Sequence, residues 1–567
     1  MISRRRYLYY SLLTCLSGLA AGCKSQRVHQ LISSPQPDML FQDITHESGI
    51  SFKLGEKNIS RVNALQAIGH GCGFVDYDND GWLDILLIAD EGALLYHNLR
   101  NGKFEDVTAK VLPTPPPNAH FLGCSIADYN NDGFPDILLT GYGTMALYQN
   151  DRNGAFKDVT DESGLQARHS DDWATSSTWA DIDGDGLLEL FVGRYVVMNS
   201  QTKEFCSFSG LDGSSVWMAC GPDQYKSQFG SLYKNNGHGH FIDITEESGL
   251  GDAHGNNLGC MFCDYNNDGK PDLYLSNDRR PADLYLNLGN GKFRNVAIPS
   301  GVAFGADGAL QSGMGIYWGD YDNDGRFDLV VANFGEQPKS LFHNDGGGAF
   351  TDLTYESGVG SATLLPLAFG ACFVDAENRG LLDLVMSNGH VDSLIKLVDS
   401  RQTYRQSSIY LRNTGTGHFV DKSVDAGPAF MKRIVGRGVA IGDFNNDGKQ
   451  DLLIVNEEGS PLLLQNMSLS NNHWITLRLL WGPNNTDAIG AKVEISTSSG
   501  KRIAEVRSAG TYLSADAPQV HFGLGNVSIV DEINIRWPDG KRTSYSHVSS
   551  NHSYQITPDI KKPRLLF

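Results

Sequence analysis

Short apolar runs recur along this chain, and each follows an acidic loop of fixed spacing. In the first copy, residues 76–84 read Asp-Tyr-Asp-Asn-Asp-Gly-Trp-Leu-Asp and lead into the apolar run 85–88. The pattern begins again at Asp128, Asp181, Asp264, Asp320, Asp375 and Asp443. The seven starts are 52, 53, 83, 56, 55 and 68 residues apart, so the third interval carries a long insertion. A fixed period of this length is typical of a repeat architecture.

A second motif lies between the acidic loops and predicts β-hairpins. Residues 95–98 (Leu-Tyr-His-Asn) lead through a glycine turn to residues 104–108 (Phe-Glu-Asp-Val-Thr). Later copies have Asn-Gly turns, as at 153–154 and 290–291, and this dipeptide favours two-residue hairpins. Each repeat therefore has about four short strands rich in Ile, Leu, Val and aromatic residues, which is the make-up of one propeller blade.

The two ends of the repeat region predict how it closes. The seventh loop is followed by Leu-Leu-Leu-Gln-Asn at 462–466, and no Phe-x-Asp-Val-Thr segment comes after it. The missing segment stands near the N-terminus as Phe-Gln-Asp-Ile-Thr, residues 41–45. A closed ring would leave no exposed strand edge. We therefore expect an all-β fold in which residues 39–470 form a seven-bladed β-propeller closed by the N-terminal strand.

The acidic loops have the residue types and spacing of calcium sites. Positions one, three, five and nine carry carboxylates or amides, and position six is a glycine that permits a sharp turn. Calcium prefers about six to eight oxygen ligands in a flexible shell. We predict six Ca²⁺ sites, formed by Asp76, Asp78, Asp80 and Asp84; Asp128, Asn130, Asp132 and Asp136; Asp181, Asp183, Asp185 and Glu189; Asp264, Asn266, Asp268 and Asp272; Asp320, Asp322, Asp324 and Asp328; and Asp443, Asn445, Asp447 and Asp451.

The loop at Asp375 departs from this pattern. Its third position is Glu377 and its fifth is Arg379, whose guanidinium would repel calcium and pair with Asp375 and Asp383. We expect this loop to hold no metal. An EF-hand is excluded for the first loop, because position twelve is Leu87 rather than glutamate and the flanks are strands. The alternative interpretation of the loops is that they are Asx-rich turns without metal.

Composition and charge agree with a turn-rich protein that holds cations. The chain has 567 residues, 63 of them glycine, and a formal net charge of -20. This acidic balance makes nucleic acid an unfavourable partner, because a phosphate backbone would be repelled.

The first 22 residues predict export. Arg4, Arg5 and Arg6 precede an apolar run that is too short to span a membrane and ends in small residues before Cys23. This segment resembles a bacterial lipoprotein signal, in which Cys23 would carry the lipid and residues 23–38 would form a tether. The arginine cluster also resembles a twin-arginine motif, and an ordinary Sec signal remains the alternative.

The remaining cysteines divide into two groups. Cys206 and Cys220 lie within one inserted stretch, and an oxidising compartment would favour a disulfide between them. Cys72, Cys124 and Cys260 each stand four residues before the first aspartate of a loop. This repeated position is open to a metal-site interpretation, but we favour small buried core thiols.

Two family resemblances follow from these motifs. The loops with their flanking glycines resemble FG-GAP/VCBS repeats. Residues 473–557 resemble an ASPIC/UnbV domain in the segments 487–491, 505–508, 512–514, 521–525 and 536–540. Together they look like the cartilage acidic protein family, and this resemblance implies a calcium-binding extracellular propeller. The insertion that contains Cys206 and Cys220 is similar to that family's inserted loop. We expect a small C-terminal β-domain at 471–558 with strands at 474–480, 491–497, 502–508 and 532–537, and a tail at 559–567.

Two classes of function remain open from the sequence. The chain is expected to be a non-catalytic binding, scaffold or adhesion protein for a glycan or protein ligand, lipid-anchored on the outer face of a bacterial membrane or released into the periplasm or outside the cell. The alternative is a calcium-dependent extracytoplasmic enzyme acting on polysaccharide. Candidate contacts lie where the repeat is broken, at residues 195–225 with Trp217, at 278–280 (Asp-Arg-Arg) and at His390. His521 and Arg507 are further candidates, for which we favour a structural role.

Overall fold

The computed structural model describes residues 39–55, 62–482 and 484–566. The expected export signal, the tether and Cys23 lie outside the described residues. Within the described ranges the chain is all-β, as predicted, and its helices are at most five residues long.

The strands of residues 41–466 form seven four-stranded antiparallel sheets in the described part of the chain. Each sheet takes its strands in chain order, except that the seventh takes its outer strand from the N-terminal end. Sheets 1 to 7 consist of Cys72–Val75, Asp84–Ala89, Gly92–Asn98 and Phe104–Asp106; Phe121–Ala127, Asp136–Gly141, Met145–Asn150 and Phe156–Asp158; Ala174–Ala180, Glu189–Arg194, Ser231–Asn235 and Phe241–Asp243; Asn257–Cys263, Asp272–Asn277, Asp283–Gly289 and Lys292–Asn295; Gly313–Gly319, Asp328–Asn333, Ser340–Gly346 and Ala349–Asp352; Ala368–Val374, Asp383–Asn388, Ile409–Asn413 and Phe419–Asp421; and Gly436–Gly442, Asp451–Asn456, Leu462–Asn466 and Phe41–Asp43.

Short elements connect these sheets. Two extra hairpins pair Phe205–Ser209 with Ser215–Ala219 and Gln406–Ser407 with Arg433–Ile434. The α-helices are Ala64–Ile68, Thr108–Val111, Thr160–Ser163, Thr245–Ser248, Ala297–Ser300, Val359–Thr363, Ser423–Ala426 and Pro428–Met431, and 3₁₀ turns occur at Pro222–Gln224 and Ile395–Leu397. None of the described helices has the length and apolar character needed to cross a membrane.

The sheets are linked in a cyclic, propeller-like order. The first strand of each sheet contacts the first strand of the next, and that of sheet 7 contacts that of sheet 1. The N-terminal strand lies antiparallel to Leu462–Asn466, with Phe41 opposite Asn466, which is the pairing that the sequence predicted. Thr45 repeats the bond that five other copies of its motif make, since its hydroxyl accepts the N–H of Leu463 at 2.8 Å.

A repeated asparagine joins each sheet to the one before it. This residue stands at or near the end of every third strand, and its side-chain amide donates to the carbonyl of loop position two in the preceding sheet, at 2.8–3.0 Å. The donors are Asn98, Asn150, Asn235, Asn287, Asn344, Asn413 and Asn466, and the acceptors in the same order are Phe444, Tyr77, Tyr129, Ile182, Tyr265, Tyr321 and Ala376. The bond from Asn98 to Phe444 links sheet 1 back to sheet 7.

The C-terminal region forms two further four-stranded sheets. One contains His473–Leu479, Val520–Gly525, His552–Ile556 and Arg564–Leu565, and the other contains Lys492–Thr497, Gly500–Glu505, Ile529–Arg536 and Arg542–Ser549. The sequence prediction ended the domain at residue 558 and missed the pairing of Tyr554 with Leu565. A two-residue strand is too short to show a hydrophobic period, so the pattern of apolar residues cannot predict it.

Residues 507–517 of this domain, here called the axial segment, run between the first strands of the seven sheets. Its backbone and side chains bond to the first strand of every sheet, through Cys72, Cys124, Ser176, Cys263, Trp318, Ala371 and Ile441. The Ala515 N–H, for example, donates to the carbonyl of Cys72 at 2.9 Å, and the Cys124 N–H donates to that of Leu513 at 3.0 Å. The C-terminal domain therefore supplies the centre around which the sheets pack.

A glycine stands five residues before the first aspartate in six of the seven repeats, and the axial segment lies close to five of them; at Gly259 an added Cβ would instead meet the Met314 carbonyl oxygen at 2.3 Å. A Cβ on Gly71 would lie 1.7 Å from the carbonyl oxygen of Leu513, and one on Gly315 would lie 2.3 Å from Thr511 Oγ1. The third repeat has Ser176 instead, and its hydroxyl accepts the N–H of Leu513 at 3.1 Å.

Candidate metal centres and binding cavity

The first acidic loop shows how all of them are built. Asp76 accepts the N–H groups of Asp80 at 2.9 Å and Gly81 at 3.0 Å, so the turn itself fixes this carboxylate. Position four is left-handed, a conformation that asparagine tolerates better than most residues. Six loops place asparagine there, with φ between 54° and 62°, and the third uses Gly184; the six are Asn79, Asn131, Asn267, Asn323, Asn378 and Asn446.

Position nine opens the second strand and faces back to the loop. Asp84 accepts the N–H of Asn98 at 2.7 Å, and five other sheets repeat this bond at 2.7–2.8 Å. The backbone of the third strand therefore holds the position-nine carboxylate. The asparagine that links neighbouring sheets is the same residue, so loop and ring geometry share one anchor.

In each of the three all-carboxylate loops, three of the four predicted ligands converge. Oxygens of Asp76, Asp78 and Asp84, of Asp181, Asp183 and Glu189, and of Asp320, Asp322 and Asp324 lie within 4.8 Å of one another in each group. Several of the loop oxygens are buried without a hydrogen-bond partner in the described residues, on Asp78, Asp136, Asp183, Glu189, Asp264 and Asp272. A buried carboxylate oxygen without a donor is costly unless a cation compensates it, so these residues fit a bound metal ion.

The electrostatics of the loops lead to the same conclusion. Burial, reinforced by the neighbouring carboxylates, raises the pKa of Asp76 to about 7, that of Asp320 to about 8 and that of Glu189 to about 9. The same causes raise the pKa of Asp451 well above its ordinary range. Without a cation these groups resist ionisation, and a divalent ion with oxygen ligands would remove that penalty.

Basic side chains form ion pairs with the carboxylates of some loops. The guanidinium of Arg152 lies 3.0 Å from Asp132, and Lys234 pairs with Asp183 and lies 3.4 Å from Asp185. Arg152 is 60% exposed and Lys234 is 38% exposed. Both can therefore turn toward solvent, so their pairing does not remove the oxygens from reach of an ion.

In the sixth loop Arg379 occupies the position of an acidic ligand. Its guanidinium lies 2.5 Å from Asp383 and 3.1 Å from Glu377. The sequence prediction that it also pairs with Asp375 is wrong, because the Asp375 carboxylate accepts the backbone N–H groups of Arg379 and Gly380 instead. The carboxylate at position one therefore accepts backbone N–H groups of its own turn in this loop, as Asp76 does in the first loop.

The C-terminal domain packs directly on the loops. Asp487 accepts the N–H of Asp128 at 3.0 Å, Glu505 accepts that of Asp264 at 3.3 Å, and Arg536 pairs with Asp264. His521 bonds to Asn378 at 2.7 Å and Arg507 to the Trp318 carbonyl at 2.8 Å, which gives both of these sequence candidates structural partners.

A cleft of about 700 Å³ remains between the first and seventh loops and the C-terminal domain. Asp76, Asp80 and Asp443 line it, so these two loops open onto a space of that size.

A separate cavity of about 730 Å³ lies at the other end of the first two strands. Tyr195, Arg279, Phe334 and His390 line it, and each follows the second strand of its sheet. The structure thus brings together Arg279, His390 and part of the 195–225 insertion, which the sequence had marked separately. It does not bring Trp217 or Arg280 into the lining: Trp217 is 42% exposed on the hairpin, and Arg280 lies 4.0 Å from Asp223.

The insertion forms a hairpin over this cavity. A disulfide joins Cys206 to Cys220 at its base. The Leu211 N–H donates to the carbonyl of Leu397 at 2.9 Å, and the Ala219 N–H donates to Asp392 at 3.2 Å. The hairpin is therefore tied to the sixth sheet on the far side. Cys72, Cys124 and Cys260 are buried free thiols in the described structure, as are Cys263 and Cys372.

Sequence reasoning missed several residues of these sites. The linking asparagines had a visible signal, since each follows Leu-Tyr-x or a related triplet, but only the three-dimensional register reveals their acceptors.

Glu336, which lines the cavity, had no signal in the sequence, because it belongs to no motif. It holds φ at 63°, and Arg279 holds φ at 55°, a conformation that costs a non-glycine residue about 1–3 kcal/mol and often marks a functional site.

Comparison with known proteins agrees with the two-part organisation. The family described as FG-GAP-like repeat matches residues 76–139, 128–192, 264–331 and 320–386, and the family described as ASPIC and UnbV matches residues 482–563. Cartilage acidic protein 1 of Mus musculus is 21% identical over 541 residues, covering 85% of this chain and 72% of the mouse protein. The Xenopus tropicalis protein of that name is 23% identical over 501 residues, covering 84% of this chain and 71% of its own length.

Solved structures show only distant likeness. An Agrocybe aegerita lectin that recognises non-reducing terminal N-acetylglucosamine has 16% identity and a TM-score of 0.40, covering 70% of this chain and 94% of its own. BBS1N, solved in complex with ARL6DN, has 10% identity and the same TM-score, covering 76% of this chain and 98% of its own. At a TM-score of 0.40, neither the sugar recognised by the lectin nor the ARL6DN partner of BBS1N bears on the ligand of the present protein. The chain carries FG-GAP-like repeats followed by a C-terminal ASPIC/UnbV domain, and it is similar over most of its length to proteins named cartilage acidic protein 1.

Proposed function

We propose that this chain is an exported, calcium-binding propeller that acts as a non-catalytic binding or adhesion scaffold. The observation that carries the metal proposal is the set of buried loop oxygens without hydrogen-bond partners. The six loops named from the sequence would hold one ion each. Bound calcium would supply positive charge to clustered carboxylates that burial and repulsion now hold at raised pKa values.

We further propose that the seven sheets are the blades of one closed propeller. Two observations support closure: the first strands contact one another in cyclic order, and the linking asparagines continue from sheet 7 to sheet 1. In this arrangement calcium would rigidify one end of every blade except the sixth, where Arg379 takes its place. The cavity at the other end would be the binding site.

The sixth loop offers a direct test of the loop chemistry. Arg379→Asp would replace the guanidinium with a carboxylate beside Asp375, Glu377 and Asp383, and we expect this variant to bind one more calcium ion than the unchanged chain. Arg379→Met is the matched control, because it removes the positive charge without adding an oxygen. Calcium content is measured by elemental analysis after dialysis. An equal count in Arg379→Asp and the unchanged chain would contradict the assigned ligand positions.

Export and anchoring rest on the sequence before residue 24. We expect the chain, expressed in a bacterium, to partition into the detergent phase of a Triton X-114 extraction, because lipid on Cys23 would bind detergent. Cys23→Ala should move it to the aqueous phase. Cys15→Ala, which alters the apolar run but not the acceptor cysteine, is the control and should not change the partition. A Cys23→Ala protein that stays with the detergent would rule out lipidation at this residue.

A further inference from the structure

The cavity beneath the hairpin has an apolar floor. Leu258, Met314 and Phe369 line it from the starts of three first strands, and Phe208 and Met218 line it from the hairpin. Its volume of about 730 Å³ falls within the roughly 300–1,000 Å³ typical of small-molecule sites. A ligand of two to three sugar-sized units would fit such a space.

One wall carries a carboxylate next to a guanidinium. Asp278 is 5% exposed and accepts the hydroxyl of Tyr195 at 2.7 Å. The adjacent Arg279 is 58% exposed and pairs through Nε with Asp223 at 2.7 Å. The terminal N–H groups of Arg279 make no ion pair or hydrogen bond within the described residues, so they can donate to a ligand. The wall thus offers an acceptor and a donor on consecutive residues.

A second part of the lining, after the second strand of the sixth sheet, combines a neutral ring with a carboxylate. His390 is 3% exposed, and its Nδ1 accepts the N–H of Asp392 at 3.0 Å. Burial, with a smaller effect from Arg437, lowers the pKa of His390 to about 4. The ring is therefore neutral at pH 7 with its proton on Nε2, and Nε2 makes no hydrogen bond within the described part of the chain. Asp392, two residues on, already accepts the N–H groups of Ala219 and Leu394 on its two oxygens, and each oxygen keeps a lone pair with which to accept a ligand hydroxyl.

This arrangement matches the chemistry of a sugar. A hydroxyl group both donates and accepts, so neighbouring hydroxyls can bond to a carboxylate and an N–H that stand side by side. The C–H face of a pyranose suits the apolar floor. The lining carries five carboxylates against two basic side chains, which opposes an anionic ligand. The carboxylates of Asp223, Glu336 and Asp399 are already paired with arginine side chains, which lessens their attraction for a cation.

We propose that the cavity binds the end of a neutral oligosaccharide, with Asp278 and Arg279 on one side and His390 and Asp392 on the other. The proposal rests on the proposed function of the chain as a binding protein and names its ligand class.

The test uses the calcium-loaded mature chain and an array of neutral oligosaccharides with glucan, xylan, mannan, galactan and N-acetylglucosamine backbones. Tri-galacturonate and spermine represent anionic and cationic ligands. We expect at least one neutral oligosaccharide to bind, and His390→Gln and Asp278→Asn each to weaken that binding about 10-fold, the effect of roughly one strong hydrogen bond. The controls His238→Gln and Asp161→Asn alter exposed residues and should bind within about 2-fold of the unchanged chain.

Melting curves for each variant separate loss of binding from loss of folding, and Arg279→Ala at the exposed rim gives a second variant that leaves the core intact. The proposal is overturned if no neutral oligosaccharide binds, if the cavity variants bind normally, or if tri-galacturonate or spermine binds as tightly. Those results would leave the calcium proposal standing, since calcium binding is measured separately on the same protein. Loss of calcium binding would instead remove the scaffold proposal.

Discussion

Removal of calcium from the purified mature chain is expected to lower its melting temperature by roughly 3–9 °C. At ~1 mM calcium and dissociation constants of ~10⁻⁴–10⁻³ M, each site contributes roughly 0.4–1.4 kcal/mol. The contributions of the six sites to the free energy of unfolding add together, because each loop opens the second strand of its own sheet. Thermal unfolding with EGTA, and again after calcium is restored, measures the shift.

The control for chelation is magnesium, which demands a more rigid octahedral shell and should restore little of the lost stability. A melting temperature that does not respond to EGTA would mean that the acidic loops are turns without metal, which is the alternative that the sequence left open.

The chelated protein should also become less stable as the pH rises. Burial and neighbouring carboxylates raise the pKa of Asp76 to about 7, that of Asp443 to about 7 and that of Asp320 to about 8 in the metal-free protein. A carboxyl whose pKa is raised on folding contributes its stability below the unfolded pKa of about 4 and loses it as the pH passes the folded value. The stability lost on chelation should therefore be larger at pH 8 than at pH 5.5. Equal losses at both values would contradict the clustering of these groups.

The second large effect is expected from Gly71→Ala. The new Cβ would stand 1.7 Å from the carbonyl oxygen and 2.5 Å from the carbonyl carbon of Leu513, and backbone atoms cannot swing aside. The axial segment and the first sheet would have to separate, at a cost of about 3 kcal/mol or more, the upper part of the range for overpacked cores. Urea unfolding followed by tryptophan fluorescence measures the difference.

Gly221→Ala is the matched control for this substitution. A Cβ at Gly221 meets no atom within 4 Å, so this change should leave the urea midpoint unaltered. If Gly71→Ala were as stable as Gly221→Ala, the axial segment would not occupy the position described. A Gly71→Ala chain that does not fold at all, beside a normal Gly221→Ala chain, agrees with the account.

The repeats were predictable because each carries its own local signals. The loop spacing, the Asn-Gly turns and the alternation of apolar residues depend only on neighbours in the chain, and the N-terminal segment at 41–45 matched a motif missing elsewhere. The partner strand Leu462–Asn466 could therefore be named before the structure.

Contacts between distant segments could not be predicted in this way. No local pattern shows that residues 507–517 lie among the first strands, that Asp487 bonds to the second loop, or that Arg379 turns to Asp383 rather than Asp375. The glycine that precedes six of the seven loops was visible in the sequence. For Gly71, however, the residue that excludes a side chain is Leu513, more than 400 residues away in the chain. The cavity likewise depends on which strand ends the packing of the sheets brings together, so His390 and Arg279 could be marked only as breaks in the repeat.

The most direct measurement of the central claim is native mass spectrometry of the mature chain, first stripped with EGTA and then titrated with calcium. The account predicts successive additions that stop at about six ions, one for each acidic loop except the sixth. A chain whose mass shows no bound calcium at calcium concentrations up to ~1 mM would contradict this account.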